Sequence, residues 1–460
     1  MTLPDCDRQA GTLASVRRAI VAGNTSVVEV VEEHLRRIEE VEQALRAWVH
    51  VDAAGALKVA RAQDARFWAG EGLPRLAGTV LGVKDLFAVA GMPLTAGSRG
   101  MSIANPGEDA FIVGQLRDAG AIVLGMTATT AWAGSDEPAT RNAHNRSHTP
   151  GGSSSGSAVA VAARMCAAAL GTQTAGSILR PAAYNGVVGF KPSFGRLSRA
   201  GVVPDSWSIA CPGFLTRTAQ DAALLFAVAE QSATSSVPRT EMGRSRWAGT
   251  PWQVGVAEPL IADQGLSGIV RSEVRRALGL LEQSGSFSLK SMAIPSDWEA
   301  ALAAHWIIMH AEVAANHQYL ARSGNEAYPP HIRALVELGS SIPATAYLAA
   351  MKLKSRFSTE LSRLMHPFDA VIAPVVSGPA PLLASYSAEH SQTKPQTGDH
   401  SLQMPWTLAG LPAISLPMGL SADRLPVGLQ LIGNYGDDER LLAFAQDVER
   451  RLNYDYQPNS

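Results

Sequence analysis

The sequence predicts an α/β fold forming one large, compact body. Three observations carry this. From Leu76 onward, short apolar runs alternate with amphipathic stretches, the pattern of β-α-β units. Charged residues are only 17% of the 460, and small residues, 41 glycines among them, take their place, so interior is high relative to surface. A chain this long buries about three quarters of its unfolded surface, so it needs no disulfide or metal to hold a core. Length alone allows about three domains.

The elements follow in order. Ser26 and Glu29 form a capping box. Val27, Val30, Val31, Leu35 and Ile38 then recur at helical spacing opposite Glu32, Glu33, Arg36 and Arg37, which predicts an N-terminal packing helix. Thr79 to Val83 reads as a buried strand ending in Lys84-Asp85. Asp109 to Asp118 reads as a helix and Ala121 to Gly125 as a second buried strand. Arg141 to Gly156, rich in Asn, Ser, His, Pro and Gly, reads as loop. Ser157 to Ala169 reads as an Ala-rich helix, Gly186 to Phe190 as a strand and Asp221 to Ala229 as a helix. Ser232 to Thr250 is polar and reads as a surface connection. Beyond it, Val254 to Ala257, Phe368 to Pro374, Pro412 to Met418 and Gly428 to Ile432 read as strands. Asp297 to Arg363 reads as a helix-rich insertion near the active site, and Glu439 to Arg450 as the closing helix.

Composition excludes several classes. The 39 Lys+Arg and 41 Asp+Glu leave a net charge of −2 with no long run of either sign, so no nucleic-acid partner is expected. Cys6, Cys166 and Cys211 are far apart and have no metal spacing, so no zinc site, disulfide or other cofactor is expected. The longest apolar stretch, Ala158 to Leu170, is interrupted by Arg164 and falls short of the roughly 18 residues that span a bilayer. Met1 to Arg8 is polar, with no signal-peptide core. A cytoplasmic protein that binds no membrane is the expectation.

The chemistry concentrates in two Gly/Ser loops, Pro150 to Ser157 and Gly171 to Ser177, bracketing one predicted helix. This pairing brings two hydroxyls together and leaves backbone N–H groups for an oxyanion. Gly152-Ser153-Ser154-Ser155-Gly156 formally matches the G-x-S-x-G elbow of α/β-hydrolases, but that motif needs a strand immediately before it, and the preceding segment reads as loop. No GxxxxGK[ST] phosphate loop is present.

With Lys84, the loops resemble the amidase signature family. Gly82-Val83-Lys84-Asp85 with Gly91-Met92-Pro93 is similar to its catalytic-lysine block. Thr149 to Ala158 resembles its first serine loop and Gly171 to Ala182 its nucleophile loop. Gly189 to Arg196, Leu411 to Pro417 and Leu425 to Gln430 resemble further blocks. The resemblance runs from about residue 10 to 450. It implies one large domain, residues 71–455, with a twisted mixed β-sheet covered by helices on both faces. Residues 1–70 would then be a helical segment packed on it, and 297–363 the helical insertion. It further implies Ser177 as nucleophile, Ser153 as bridging serine 24 residues earlier and following a cis Gly152–Ser153 bond, and Lys84 as general base. Backbone N–H groups at Thr174, Ala175 and Gly176 would bind the oxyanion and substrate. Gln173 stands where the family commonly has Asp, and Ala175 where Gly is frequent.

The implied activity is hydrolysis of a linear small-molecule amide through an acyl-Ser177 intermediate. Two other activities fit the same blocks: the A subunit of a glutamyl-tRNA amidotransferase, which Gln173 argues against, and a hydrolase of urea-derived amides such as allophanate or carboxybiuret. A non-catalytic binding protein on this fold is disfavoured by the retention of Lys84, Ser153 and Ser177. Homodimerisation is an option left open. Trp132, Trp306, Tyr347, Tyr386 and Trp406 are candidates to line an aromatic substrate pocket.

Overall fold

The computed structural model describes residues 11–98, 106–230, 250–322, 330–383 and 396–454. Among them, eleven strands form one sheet. They are β1 (Trp48–Val51), β2 (Val80–Lys84), β3 (Ile122–Thr127), β4 (Ala168–Gln173), β5 (Val188–Lys191) and β6 (Cys211–Thr216). β7 (Trp252–Val256), β8 (Phe287–Ser291), β9 (Ala370–Pro374), β10 (Ala413–Leu420) and β11 (Pro426–Ile432) complete it. The order across the sheet is β1-β3-β2-β4-β6-β5-β10-β11-β9-β7-β8. β2 runs parallel to both β3 and β4, and β7 parallel to both β8 and β9. The pairs from β4–β6 through β11–β9 are antiparallel. The sheet is therefore mixed.

Side chains alternate between two cores, one on each face. Leu81, Val83, Val123 and Met126 join the helices Phe111–Asp118, Ala219–Ala229 and Asp438–Leu452 on one side. Val80, Ile122 and Leu124 join the helices Val27–Leu45, Ser155–Ala162 and Trp298–Arg322 on the other. Burial on both faces is why these strands read as unbroken apolar runs. The capping box forms as expected: Ser26 Oγ accepts from Glu29 N at 3.1 Å, and Ser26 N donates to Glu29 Oε2 at 2.8 Å.

One sequence reading is corrected. Ser157 to Ala169 is not a single helix. The helix spans Ser155–Ala162, the chain turns at Arg164 (φ 61°), and β4 begins at Ala168. Every residue of this helix and of β4 is buried. With no polar face, the stretch shows neither a helical nor a strand period, and its alanines bias the reading toward helix. The preceding loop accordingly ends at Ser154. β1, β6, β8 and the helix Gly268–Gln283 were not anticipated. Nearly all of the Ser232 to Thr250 connection lies outside the described residues. Among the described residues, no single helix is long and apolar enough to cross a membrane.

Candidate active site

Because β2 and β4 are parallel neighbours, with Val83 opposite Leu170, their C-terminal ends emerge side by side. Lys84 is the last residue of β2, and β4 leads into the second Gly/Ser loop. Lys84 is fully buried. Its Nζ donates to Ser153 Oγ and Thr172 Oγ1, each at 2.8 Å. Burial lowers the lysine pKa to about 7, with the charge of Asp205 opposing the shift. Near neutrality a large share of Lys84 is therefore the free amine. In that form its lone pair can take the Ser153 hydroxyl proton while one N–H stays on Thr172. Asp85 does not pair with the lysine. It accepts from Thr95 N at 2.8 Å and Gly97 N at 3.1 Å, and so braces the loop that follows.

The first serine loop is held by the second. Arg180, buried, donates through Nη2 to Gly152 O at 2.7 Å and Thr397 Oγ1 at 2.8 Å. The Gly152–Ser153 peptide bond is cis. Ser154, the elbow candidate, is fully buried and committed to structure: its Oγ donates to Thr172 O at 3.2 Å and accepts from Thr172 N at 3.3 Å. Ser177 is the half-exposed member of an otherwise buried segment. Its carbonyl accepts from Ser154 N at 3.2 Å, which ties the two loops together. Its hydroxyl makes no hydrogen bond among the described residues. Lys84 and Ser153 are thus in direct contact, with Ser177 joined to them through backbone. Catalytic hydrogen bonds of this kind often tighten only with substrate bound.

The backbone N–H groups of Ala175, Gly176 and Ser177 donate to no other described residue. They leave donors open beside Ser177. Gln173 holds them there. Its Oε1 accepts from Ile178 N at 2.9 Å and Leu179 N at 3.0 Å, capping the helix Leu179–Asn185, and its Nε2 donates to Thr407 Oγ1 at 3.1 Å. Thr407 in turn donates to Ala175 O at 3.0 Å. An amide at 173 both caps and donates, which explains how the loop stands without the commoner acid. Gln173→Ala leaves the two N–H groups and Thr407 without this partner inside the core. The expected cost is about 1–3 kcal/mol for each unsatisfied group, read as a lower urea midpoint at unchanged slope. A Cβ at Gly176 would lie 2.3 Å from Gln403 Oε1, so a side chain there would displace the Gln403 amide.

Sequence reasoning missed Thr172 and Asp205. Thr172 and Thr174 are two apart at the end of a strand, so both hydroxyls fall on one side. Asp205 accepts from Thr174 Oγ1. From the helical segment, His305 Nε2 lies 2.9 Å from Thr174 O. The aromatic candidates fare differently. Trp406 is core, edge-on to Trp298 at 5.1 Å. Trp132 is buried against His317. Trp306 stacks on His310 at 5.0 Å, and Tyr347 OH donates to Glu312 Oε1 at 2.9 Å. Tyr386 lies outside the described residues. None of the other four lines the cavity beside Thr172, but Trp207 does.

Comparison with known proteins identifies the family. The A subunit of the glutamyl-tRNA(Gln) amidotransferase from Myxococcus xanthus (strain DK1622) is 33% identical over 479 residues, covering 96% of this chain and 97% of that protein. A crystal structure described as an amidase superposes with a TM-score of 0.84 at 31% identity, covering 96% of this chain and 99% of its own. The peptide amidase of Stenotrophomonas maltophilia superposes with a TM-score of 0.81 at 27% identity, covering 97% and 98%. The family described as Amidase matches residues 29–442, so the chain belongs to the amidase family and is an enzyme of amide hydrolysis.

Proposed function

We propose that this enzyme cleaves a small carboxylic amide by acyl transfer to Ser177. The observation that carries the reading is the fully buried Lys84 amine at 2.8 Å from Ser153 Oγ. A serine hydroxyl is a poor nucleophile until a base takes its proton, and a desolvated lysine is such a base. In the first half-reaction, Ser177 Oγ bonds to the amide carbon as its proton passes to Ser153, whose own proton passes to Lys84. The oxyanion accepts from N–H groups at Thr174, Ala175, Gly176 and Ser177. The C–N bond then breaks, and the leaving amine takes a proton back along the same relay. In the second half-reaction, water gives a proton to the relay, attacks the ester and releases the carboxylate. No step needs a metal or organic cofactor.

The similarity to the A subunits of amidotransferases supports a second reading, in which the released ammonia passes to a partner. Two measurements on the purified chain separate these. A fluorophosphonate probe is expected to label Ser177; labelling at Ser154 overturns the assignment. Ammonia release from an amide panel with no partner added supports the stand-alone hydrolase. Turnover that appears only with added partner subunits supports the second reading.

A further inference from the structure

A cavity of about 220 Å³ opens beside the lysine. Sites for drug-sized ligands run to roughly 300–1,000 Å³, so its occupant is small. The walls are mainly apolar, with Leu86, Val202, Val203 and Pro212 below and Trp207 at the rim. Trp207 is 46% exposed, so this side is open to solvent. Thr172, the hydroxyl partner of Lys84, forms the inner wall.

Asp205 is the carboxylate in this lining. Its Oδ2 accepts from Thr174 Oγ1, in the loop that carries Ser177, and Oδ1 receives no hydrogen bond from a described residue. Its backbone is pinned: Asn316 Nδ2 donates to Asp205 O, and the next residue's hydroxyl, Ser206 Oγ, donates to the buried Glu312. Arg199, the cation in the lining, does not pair with Asp205. Its guanidinium lies over the Phe194 ring at 5.2 Å, and its Nη1 donates to Ser206 O at 3.5 Å. Asp205 makes no salt bridge among the described residues, its cationic influence being the more distant Lys84, and a carboxylate in a mainly apolar wall gains from a cation in direct contact.

From this geometry we infer that the substrate is an amino amide, whose protonated amine binds Asp205 while its amide carbonyl reaches Ser177. Thr174, three residues before Ser177, donates to Asp205, so one loop carries both the nucleophile and the contact to the carboxylate, and the small cavity favours a short spacer between amine and carbonyl. Binding also aids the base. Burial raises the Asp205 pKa, with the Thr174 hydrogen bond and the charge of Lys84 opposing and that of Glu312 adding, so a cation in contact would favour its ionised form; Asp205 in turn favours the protonated lysine. An ammonium seated on Asp205 cancels that influence and leaves Lys84 neutral. The inference rests on the acyl-transfer reading above.

The test compares kcat/KM for two isosteric pairs, glycinamide with propionamide and β-alaninamide with butyramide, in wild type and Asp205→Asn. A charge-assisted hydrogen bond predicts a preference of about 10- to 100-fold for the amino member of at least one pair, collapsing toward unity in Asp205→Asn. A wild-type ratio near one, or a preference that survives Asp205→Asn, overturns the inference. So does turnover of none of the four compounds. The fluorophosphonate probe then separates the failures: a labelled Ser177 leaves acyl transfer standing, and an unlabelled one removes both.

Discussion

Ser177→Ala is expected to lower kcat by about 10⁶-fold, the scale of loss when the nucleophile of a tightly coupled catalytic unit is removed. Alanine keeps the backbone N–H proposed to bind the oxyanion but offers no oxygen for the ester. Little else should change. The Ser177 hydroxyl makes no hydrogen bond among the described residues, and its backbone is held by Ser154 N and by the Gln173 brace one residue on. The variant should therefore unfold within about 0.5 kcal/mol of wild type, bind substrate and resist the fluorophosphonate. Single-turnover ammonia release measures the first effect, and intact mass after probe treatment the last. Activity within tenfold of wild type would place the nucleophile elsewhere.

Lys84→Met comes second, with an expected fall in kcat/KM of about 10²–10⁴, the usual worth of a general base. In the wild type, activity needs the neutral amine. It should rise with pH through about 7, where burial sets this lysine against the opposing charge of Asp205, and the variant should lose that limb. Stability also rises with pH, over a higher window. The unfolded lysine titrates near 10.4. Between about 10.4 and 7 the unfolded chain holds a proton that the folded chain has released, so the contribution of Lys84 to stability declines as pH falls through that window and is flat below it. Methionine removes the penalty. The variant should unfold at the same or a higher temperature at pH 7, as read by calorimetry. A large drop in melting temperature would indicate a structural role, and an unchanged pH profile would exclude lysine as the base.

Much of the candidate site was legible in the sequence because its residues sit in contiguous blocks. Lys84 closes an apolar run, and Ser153 and Ser177 lie in small-residue loops that stand out by composition. The strands read at Thr79 to Val83 and Gly428 to Ile432, observed as Val80–Lys84 and Pro426–Ile432, are bounded by turn residues. β4 was hidden because its neighbours are equally apolar and small, so burial on all sides erased the period. β1 was hidden because four residues, three half-buried and one exposed, are too few to establish one. Asp205 was hidden for another reason. Its place in the cavity wall is set by contacts from Asn316 and Thr174, far away in the chain, and a single Asp in a non-periodic loop has no local signature. For the same reason the four described aromatic candidates do not line that cavity: Trp406 and Trp207 look alike in sequence, and only tertiary packing makes one core and the other a cavity rim.

The brace on the nucleophile loop has a consequence for when the protein becomes active. Gln173 meets Thr407 across 234 residues, and Thr407 reaches the Ala175 carbonyl across 232. A ribosome that has delivered Lys84, Ser153 and Ser177 has thus made all the reactive groups and none of their far support. Loop-closure entropy must be met before a contact of this range is rewarded, which makes such closures slow. Thr407 lies on the helix Met404–Leu408, so the brace on the nucleophile loop cannot form until that helix has been synthesised.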